Sequence, residues 1–258
     1  MKLTSRLLLP SFVFAIVMCV VSSAARGDEL PTLMTKRGKL LVQQDFEKPL
    51  PPFDGKSNGF ASGFKAWRYN SAAKGGHWEV IDGTFTGTEN PKAQHPATAS
   101  YGFDFKDVVI QCEVRMNDVP LDGRPMHRVM VRTTDTKDYV CSVMIDEKGW
   151  GIEKDDNDHG GPDKPVPLGR KTIPMKLGEW HTVVFEILGE EMVGTVDGRS
   201  LTGSHSLIGE DKCSVMFVMG GEGAVRHFKV WEAQPNPEWA KNKAVLEAAK
   251  KTAAAPKP

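Results

Sequence analysis

An all-β sandwich or barrel is the fold this chain predicts, and three observations carry it. Between about residues 40 and 232, short runs show period-two alternation of apolar and polar residues or are enriched in β-branched residues. Gly, Asp, Asn and Pro clusters separate the runs, and Asp82-Gly83, Gly189-Glu190 and Asp197-Gly198 are explicit two-residue turns between them. No segment of this region reads convincingly as a helix, and no internal repeat is present. The strands so placed are 40–46, 77–81, 84–88, 97–103, 107–116, 127–134, 139–146, 149–154, 180–188, 191–196, 213–219 and 225–232.

Taken from the N-terminus, Lys2 and Arg6 precede an apolar run over 7–21, and the small residues Ser22, Ser23, Ala24 and Ala25 follow. This is the pattern of a secretory signal peptide over 1–27, which predicts a secreted or periplasmic protein. The run is shorter than the roughly 20 residues a bilayer span needs, and no later segment replaces it. Cys19 raises a lipoprotein alternative, but Met18 before it is not a small residue. Cleavage after Gly27 removes Lys2, Arg6 and Arg26 from 33 basic residues and leaves 30 against 33 acidic ones. Residues 28–38 are polar without periodicity and read as a flexible lead-in, with the ordered domain over 39–233.

Residues 234–258 form a separate C-terminal element. Asn236 before Pro237 caps a helix over about Trp239 to Thr252, rich in Ala, Lys, Leu and Glu. Its apolar face is thin (Val245, Leu246, Ala249), so it reads as a surface helix, with a protein partner as the alternative. Cys112, Cys141 and Cys213 each lie in an apolar strand and are expected as core thiols, a single bridge being the alternative. Charge balance, 33 Lys and Arg against 33 Asp and Glu, offers no basic footprint for nucleic acid.

Three phrases occur in order: GGHWEVIDGTFTG at 75–87, FKDVVIQCEVRM at 105–116 and GEWHTVVFEILGEEMVGTVDG at 178–198, closed by VRHFKVWEA at 225–233. Together they resemble the concanavalin A-like lectin/glucanase superfamily, and within it the domain called 3-keto-disaccharide hydrolase, loosely a family 16 glycoside hydrolase. The resemblance spans about residues 40–233. It implies a two-sheet antiparallel jelly-roll sandwich, carbohydrate as partner, and either binding or hydrolysis on a concave sheet. A non-catalytic envelope or protein-interaction domain is the remaining alternative. The Glu-x-Asp-x-x-Glu strand of such glucanases is absent: the nearest acidic segment, Asp146-Glu147 through Glu153, has the wrong spacing and crosses a turn at Lys148-Gly149. Where the family pattern carries Tyr-Glu-x-Gln, this chain has Tyr139-Val140-Cys141-Ser142, which weakens hydrolysis and leaves binding.

Strand alternation supplies the candidate site. With Val108, Ile110, Cys112 and Val114 facing the core, Gln111, Glu113 and Arg115 face away, and Arg128, Arg132 and Glu186 do so on their own strands. These six residues are expected to line one cleft, with Glu113 or Glu186 as acid or base of any hydrolysis. The alternative is a solvated face with cross-strand ion pairs. Trp78 and Trp180 are read as core residues, with sugar stacking as the sharper alternative. The acidic loop after residue 154 suggests calcium on Asp155, Asn157 and Asp158, although Val166 stands where an EF-hand needs Glu. Neither a zinc set nor a phosphate loop is present, since Gly55-Lys56-Ser57 lacks the leading Gly, and no GxSxG or HExxH motif occurs.

Overall fold

The computed structural model describes residues 28–50, 65–69, 76–93, 95–120, 126–155 and 164–254. Along the chain the strands are β1 (Thr35–Gln44), β2 (Trp67–Tyr69), β3 (Gly76–Ile81), β4 (Thr84–Glu89), β5 (Ala97–Phe105), β6 (Val108–Met116), β7 (Arg128–Thr134) and β8 (Tyr139–Asp146). They continue with β9 (Gly149–Lys154), β10 (Val166–Lys171), β11 (His181–Leu188), β12 (Glu191–Val196), β13 (Arg199–Ser204), β14 (Lys212–Gly220) and β15 (Glu222–Pro235), and helix α1 (Trp239–Ala254) follows. Every strand read from the sequence is present. Strands β2, β10 and β13 were not foreseen.

All pairings are antiparallel. An eight-stranded sheet runs β13-β12-β11-β6-β15-β4-β3, with β1 also on β15, and a seven-stranded sheet runs β10-β9-β8-β7-β14-β5-β2. The long β15 pairs with β4 over Glu222–Val225 and with β1 over Phe228–Pro235. Its change of partner falls at a bulge around His227, whose φ is 51°. The hairpins at Asp82-Gly83 and Asp197-Gly198 have φ of 47° and 72°, and 49° and 72°, the left-handed pair that matches strand twist and that Asp and Gly tolerate.

Between the sheets, the inward residues of β6 (Val108, Ile110, Cys112, Val114) meet Val129, Val131, Val143 and Ile145 of the opposite sheet. One end of this core is aromatic: the Phe46 and Trp67 rings lie 5.3 and 5.0 Å from Phe85, and Phe217 lies 5.2 Å from Phe228. Each buried Phe contributes roughly 1.5–3 kcal/mol. Trp78 belongs to the same core, 4.7 Å from Phe85, and covers its cross-strand neighbour Gly87, where a Cβ would stand 2.6 Å from the indole. Gly194 does the equivalent between sheets, since a Cβ there would meet the Ile152 Cγ2 at 2.5 Å. The three cysteines are free and buried. Burial pushes the Cys112 thiol far up, which makes it an inert filler.

Residues 28–38 correct the reading of a flexible lead-in. Strand β1 begins at Thr35, and the segment before it lies on the outer face of the eight-stranded sheet, with Leu30 against Val109, Val184 and Trp231. Helix α1 holds the segment in turn. Asn236 and Asn242 donate side-chain N–H bonds to the Leu33 carbonyl at 3.0 and 2.9 Å. The helix itself docks through polar contacts, with the Trp239 indole and the Lys243 ammonium both on Glu191 and the Lys250 ammonium 2.8 Å from the Leu168 carbonyl. Its thin apolar face explains why charge does this work. The proposed signal segment, 1–27, lies outside the described residues.

Candidate functional site

The six residues expected to share one cleft stand on two opposite outer faces. Gln111, Glu113 and Arg115 are on β6 and Glu186 on β11, in the eight-stranded sheet, whereas Arg128 and Arg132 are on β7 in the other. Alternation gives the side of a strand correctly but says nothing of which sheet the strand joins. The single cleft is therefore replaced by two separate surfaces.

On the eight-stranded sheet, Gln111 and Glu186 are consumed by the chain itself. The Glu186 carboxylate has 0 % exposure and accepts from the backbone N–H groups of Leu33, Met34 and Thr35 at 2.9, 2.8 and 2.7 Å and from the Thr35 hydroxyl at 2.8 Å. Gln111 accepts from the Leu30 N–H and the Arg37 guanidinium and donates to the Asp28 carbonyl. Glu113, the other acid/base candidate, is ion-paired with Arg226 at 2.6 Å. Both carboxylates are thus engaged by groups of the chain itself. Next to them Trp180 is half-buried, with the Arg115 and Arg226 guanidinium carbons 4.7 and 4.2 Å from its ring centre. This is a cross-strand stack that ties β6, β11 and β15 together.

The outer face of the seven-stranded sheet is built differently. Register places Arg68, Ser100, Met216, Arg132, Ser142, Glu153 and Pro167 in one row across the strands. Met130, Met216 and Val218 form a small apolar cluster beside it, joined by the half-exposed Tyr139 and Met144. Arg132 donates to Asp155 Oδ1 at 2.8 Å and lies 4.2 Å over the Tyr139 ring. Asp155 keeps 4 % side-chain exposure, and its second oxygen, Oδ2, has no hydrogen-bond partner. The Nε of Arg132 has none either. Burial pushes the Asp155 carboxyl up to about 6, against the pull of Arg132, with a further push from Glu153 and a smaller opposing pull from the nearby Ser142 hydroxyl. Ser142 donates a long 3.3 Å bond to Glu153. Arg128 stands four residues along β7 from Arg132, opposite Asp146, which Arg170 grips through both oxygens at 2.8 Å.

Of the expected site, this face retains Arg128 and Arg132 and adds Tyr139, Ser142, Glu153 and Asp155. The addition was within reach of the sequence, because β9 was foreseen and its alternation sends Glu153 and Asp155 to the same side. Asp155, read as a calcium ligand, pairs with Arg132 at 2.8 Å; Asn157 and Asp158 lie outside the described residues. Among the described residues no group of three or more His, Cys, Asp or Glu could hold a metal ion.

No protein-family model and no curated relative matches the chain. Solved structures do. The carbohydrate-binding module CBM66 from Bacillus subtilis aligns with a TM-score of 0.51 at 14 % identity, over 67 % of this chain and 99 % of that one. A Bacillus subtilis protein of unknown function with a galectin-like fold aligns at 0.51 and 11 % identity, over 79 % and 100 %. A LamA variant from Zobellia galactanivorans, solved with laminaritriose and laminaritetraose, aligns at 0.50 and 10 % identity, over 76 % and 100 %. At such identities the likeness speaks for the fold alone. Two antiparallel sheets packed face to face, one C-terminal helix and these alignments make the chain a concanavalin A-like jelly-roll sandwich.

Proposed function

We propose that the protein binds a glycan on the outer face of the seven-stranded sheet, at Arg132, Tyr139, Ser142, Glu153 and Asp155. One observation carries this reading: within a single ion pair, a buried donor (Arg132 Nε) and a buried acceptor (Asp155 Oδ2) are both left without a partner. Buried polar atoms are normally satisfied, so the pair points to a missing group that donates and accepts at once. A sugar hydroxyl is such a group. Tyr139 and Met144 supply half-exposed apolar surface for the C–H face of the ring. The aligned CBM66 is a carbohydrate-binding module, and the aligned LamA variant was solved with two oligosaccharides, which supports the class of ligand.

Thermal melting against a panel of soluble oligosaccharides tests the reading. A ligand at 100 times its Kd adds about 2.7 kcal/mol and raises the midpoint by several degrees. Asp155→Asn and Arg132→Met are expected to abolish that rise, and a panel with no rise for the native protein overturns the proposal. Hydrolysis is a second reading, favoured by Glu153 and Asp155 projecting two residues apart on one face with Asp155 near 6. Product analysis of the same mixtures separates cleavage from binding.

We further propose that the protein acts after export, on the strength of the basic, apolar and small-residue succession over 1–27. N-terminal sequencing of the exported protein is expected to return Asp28 first. An uncut chain would count against export by this route.

A further inference from the structure

We propose that the glycan preferred on this face is a cationic amino sugar, its ammonium seated on the Asp155 and Glu153 carboxylates and its neighbouring hydroxyl accepting from Arg132 Nε–H. The inference rests on the glycan reading of the face and names the chemistry of its ligand. Glu153 and Asp155 project to the outer side, while Lys154 between them turns inward, opposite Cys141. Against these two carboxylates stands one guanidinium. Its Nη2 is committed to Asp155 Oδ1 at 2.8 Å and to the Met130 sulfur at 3.7 Å, and its plane rests on Tyr139.

Among the described residues, the other arginines of this face are remote or engaged. Arg128 is four residues along the same strand, about 13 Å away, and Arg68 is three strands over, about 14 Å away. Arg170 reaches away toward Asp146 and is neutralised there. The centre at Arg132, Glu153 and Asp155 therefore carries one net negative charge together with an unclaimed carboxylate oxygen. A uronate would add like charge. An ammonium supplies donors to both carboxylates but cannot answer Arg132 Nε–H, which needs an acceptor. A 2-amino-2-deoxyhexose carries nitrogen and oxygen on adjacent carbons, separated by about one hydrogen-bond length, and so meets all three groups.

The test is calorimetric titration of the mature protein with β-1,4-linked tetramers of glucosamine, N-acetylglucosamine, glucose and a uronic acid, at about 0.05 and 0.5 M salt. The glucosamine tetramer is expected to bind about tenfold more tightly than the glucose tetramer at low salt and to lose most of that margin at high salt. Glu153→Gln is expected to weaken the glucosamine tetramer more than the glucose tetramer and so to reduce the margin to about twofold or less. Equal or tighter binding of the glucose, acetylated or uronate tetramer, or a margin that survives Glu153→Gln, overturns the amino-sugar assignment and leaves glycan binding standing. Absence of binding by all four tetramers, with a response to no other sugar, removes the glycan reading and this inference with it.

Discussion

Glu186→Gln is expected to destabilise the protein by about 3 kcal/mol and to release residues 28–35 from the sheet before the sandwich unfolds. The carboxylate accepts four bonds, three of them from consecutive backbone N–H groups, and its charge is sealed from water. Glutamine keeps the volume but replaces one oxygen with an NH2 group, so a donor then faces a donor and at least one buried N–H is orphaned, at roughly 1–3 kcal/mol. Arg37, with its pKa held down by burial and supported by the Glu29 and Glu186 charges, loses one of those supports. Hydrogen exchange reads the outcome residue by residue: the Leu33, Met34 and Thr35 amides should lose protection first, and the Leu30 contact with Val109, Val184 and Trp231 should open with them. Thr35→Ala, which removes a single hydroxyl bond, is the milder companion, at about 1 kcal/mol. Unchanged exchange at those three amides in the glutamine variant would mean that the helix contacts at Leu33, not Glu186, hold the segment.

The same residues show what could be read from the sequence and what could not. Alternation in VVIQCEVRM and VVFEIL placed Gln111 and Glu186 outward, and outward they are. It could not reveal that the outward side was occupied, because the occupant is joined to it across 81 and 151–153 residues of chain by side-chain-to-backbone bonds. The occupying segment has no period of its own for the same reason: its order is imposed by acceptors elsewhere. Strand β10 was missed because Pro165, Pro167 and Gly169 interrupt any alternation, and β13 because Arg199, Ser200, Thr202 and Ser204 make it polar. Both are edge strands, where one side needs no apolar residues. The split of the expected cleft has a different origin. Strands β6 and β7 are consecutive in sequence and belong to opposite sheets, so residues that look adjacent in a list of outward positions are separated by the whole thickness of the core. Asp155 and Glu153 escaped for a local reason, since the acidic run after residue 154 drew attention to a loop, while the chemistry sits at the end of the strand leading into it and on the first residue beyond.

Lys212→Met is expected to cost about 3–5 kcal/mol. Lys212 opens β14 with 2 % exposure, and its ammonium donates to the carbonyls of Lys106, Ile208 and Glu210 at 3.0, 2.7 and 2.8 Å. All three donors of the ammonium are used, and among the described residues no carboxylate is paired with it. Burial lowers the pKa of this group, with the neighbouring Cys141 and the Asp107 and Asp211 carboxylates opposing that drop. What the buried cation accomplishes is connection: Lys106 lies in the turn from β5 to β6, and Ile208 and Glu210 lie in the short turn between β13 and β14. Strands β5 and β14 belong to one sheet, β6 and β13 to the other, so a single ammonium closes one end of the sandwich where chain bends leave carbonyls without backbone donors. Methionine preserves the length and apolar stem of lysine, which isolates the hydrogen-bonding loss from any cavity. For a chain of this size the expected loss lowers the melting temperature by about 10 °C. A methionine variant within about 1 kcal/mol of the native protein by urea titration would show that relief of burying the charge offsets the three lost bonds. Sugar binding at Arg132 and Asp155 should survive at temperatures where the variant is folded, because the three Lys212 hydrogen bonds go to turn carbonyls and none to Arg132 or Asp155.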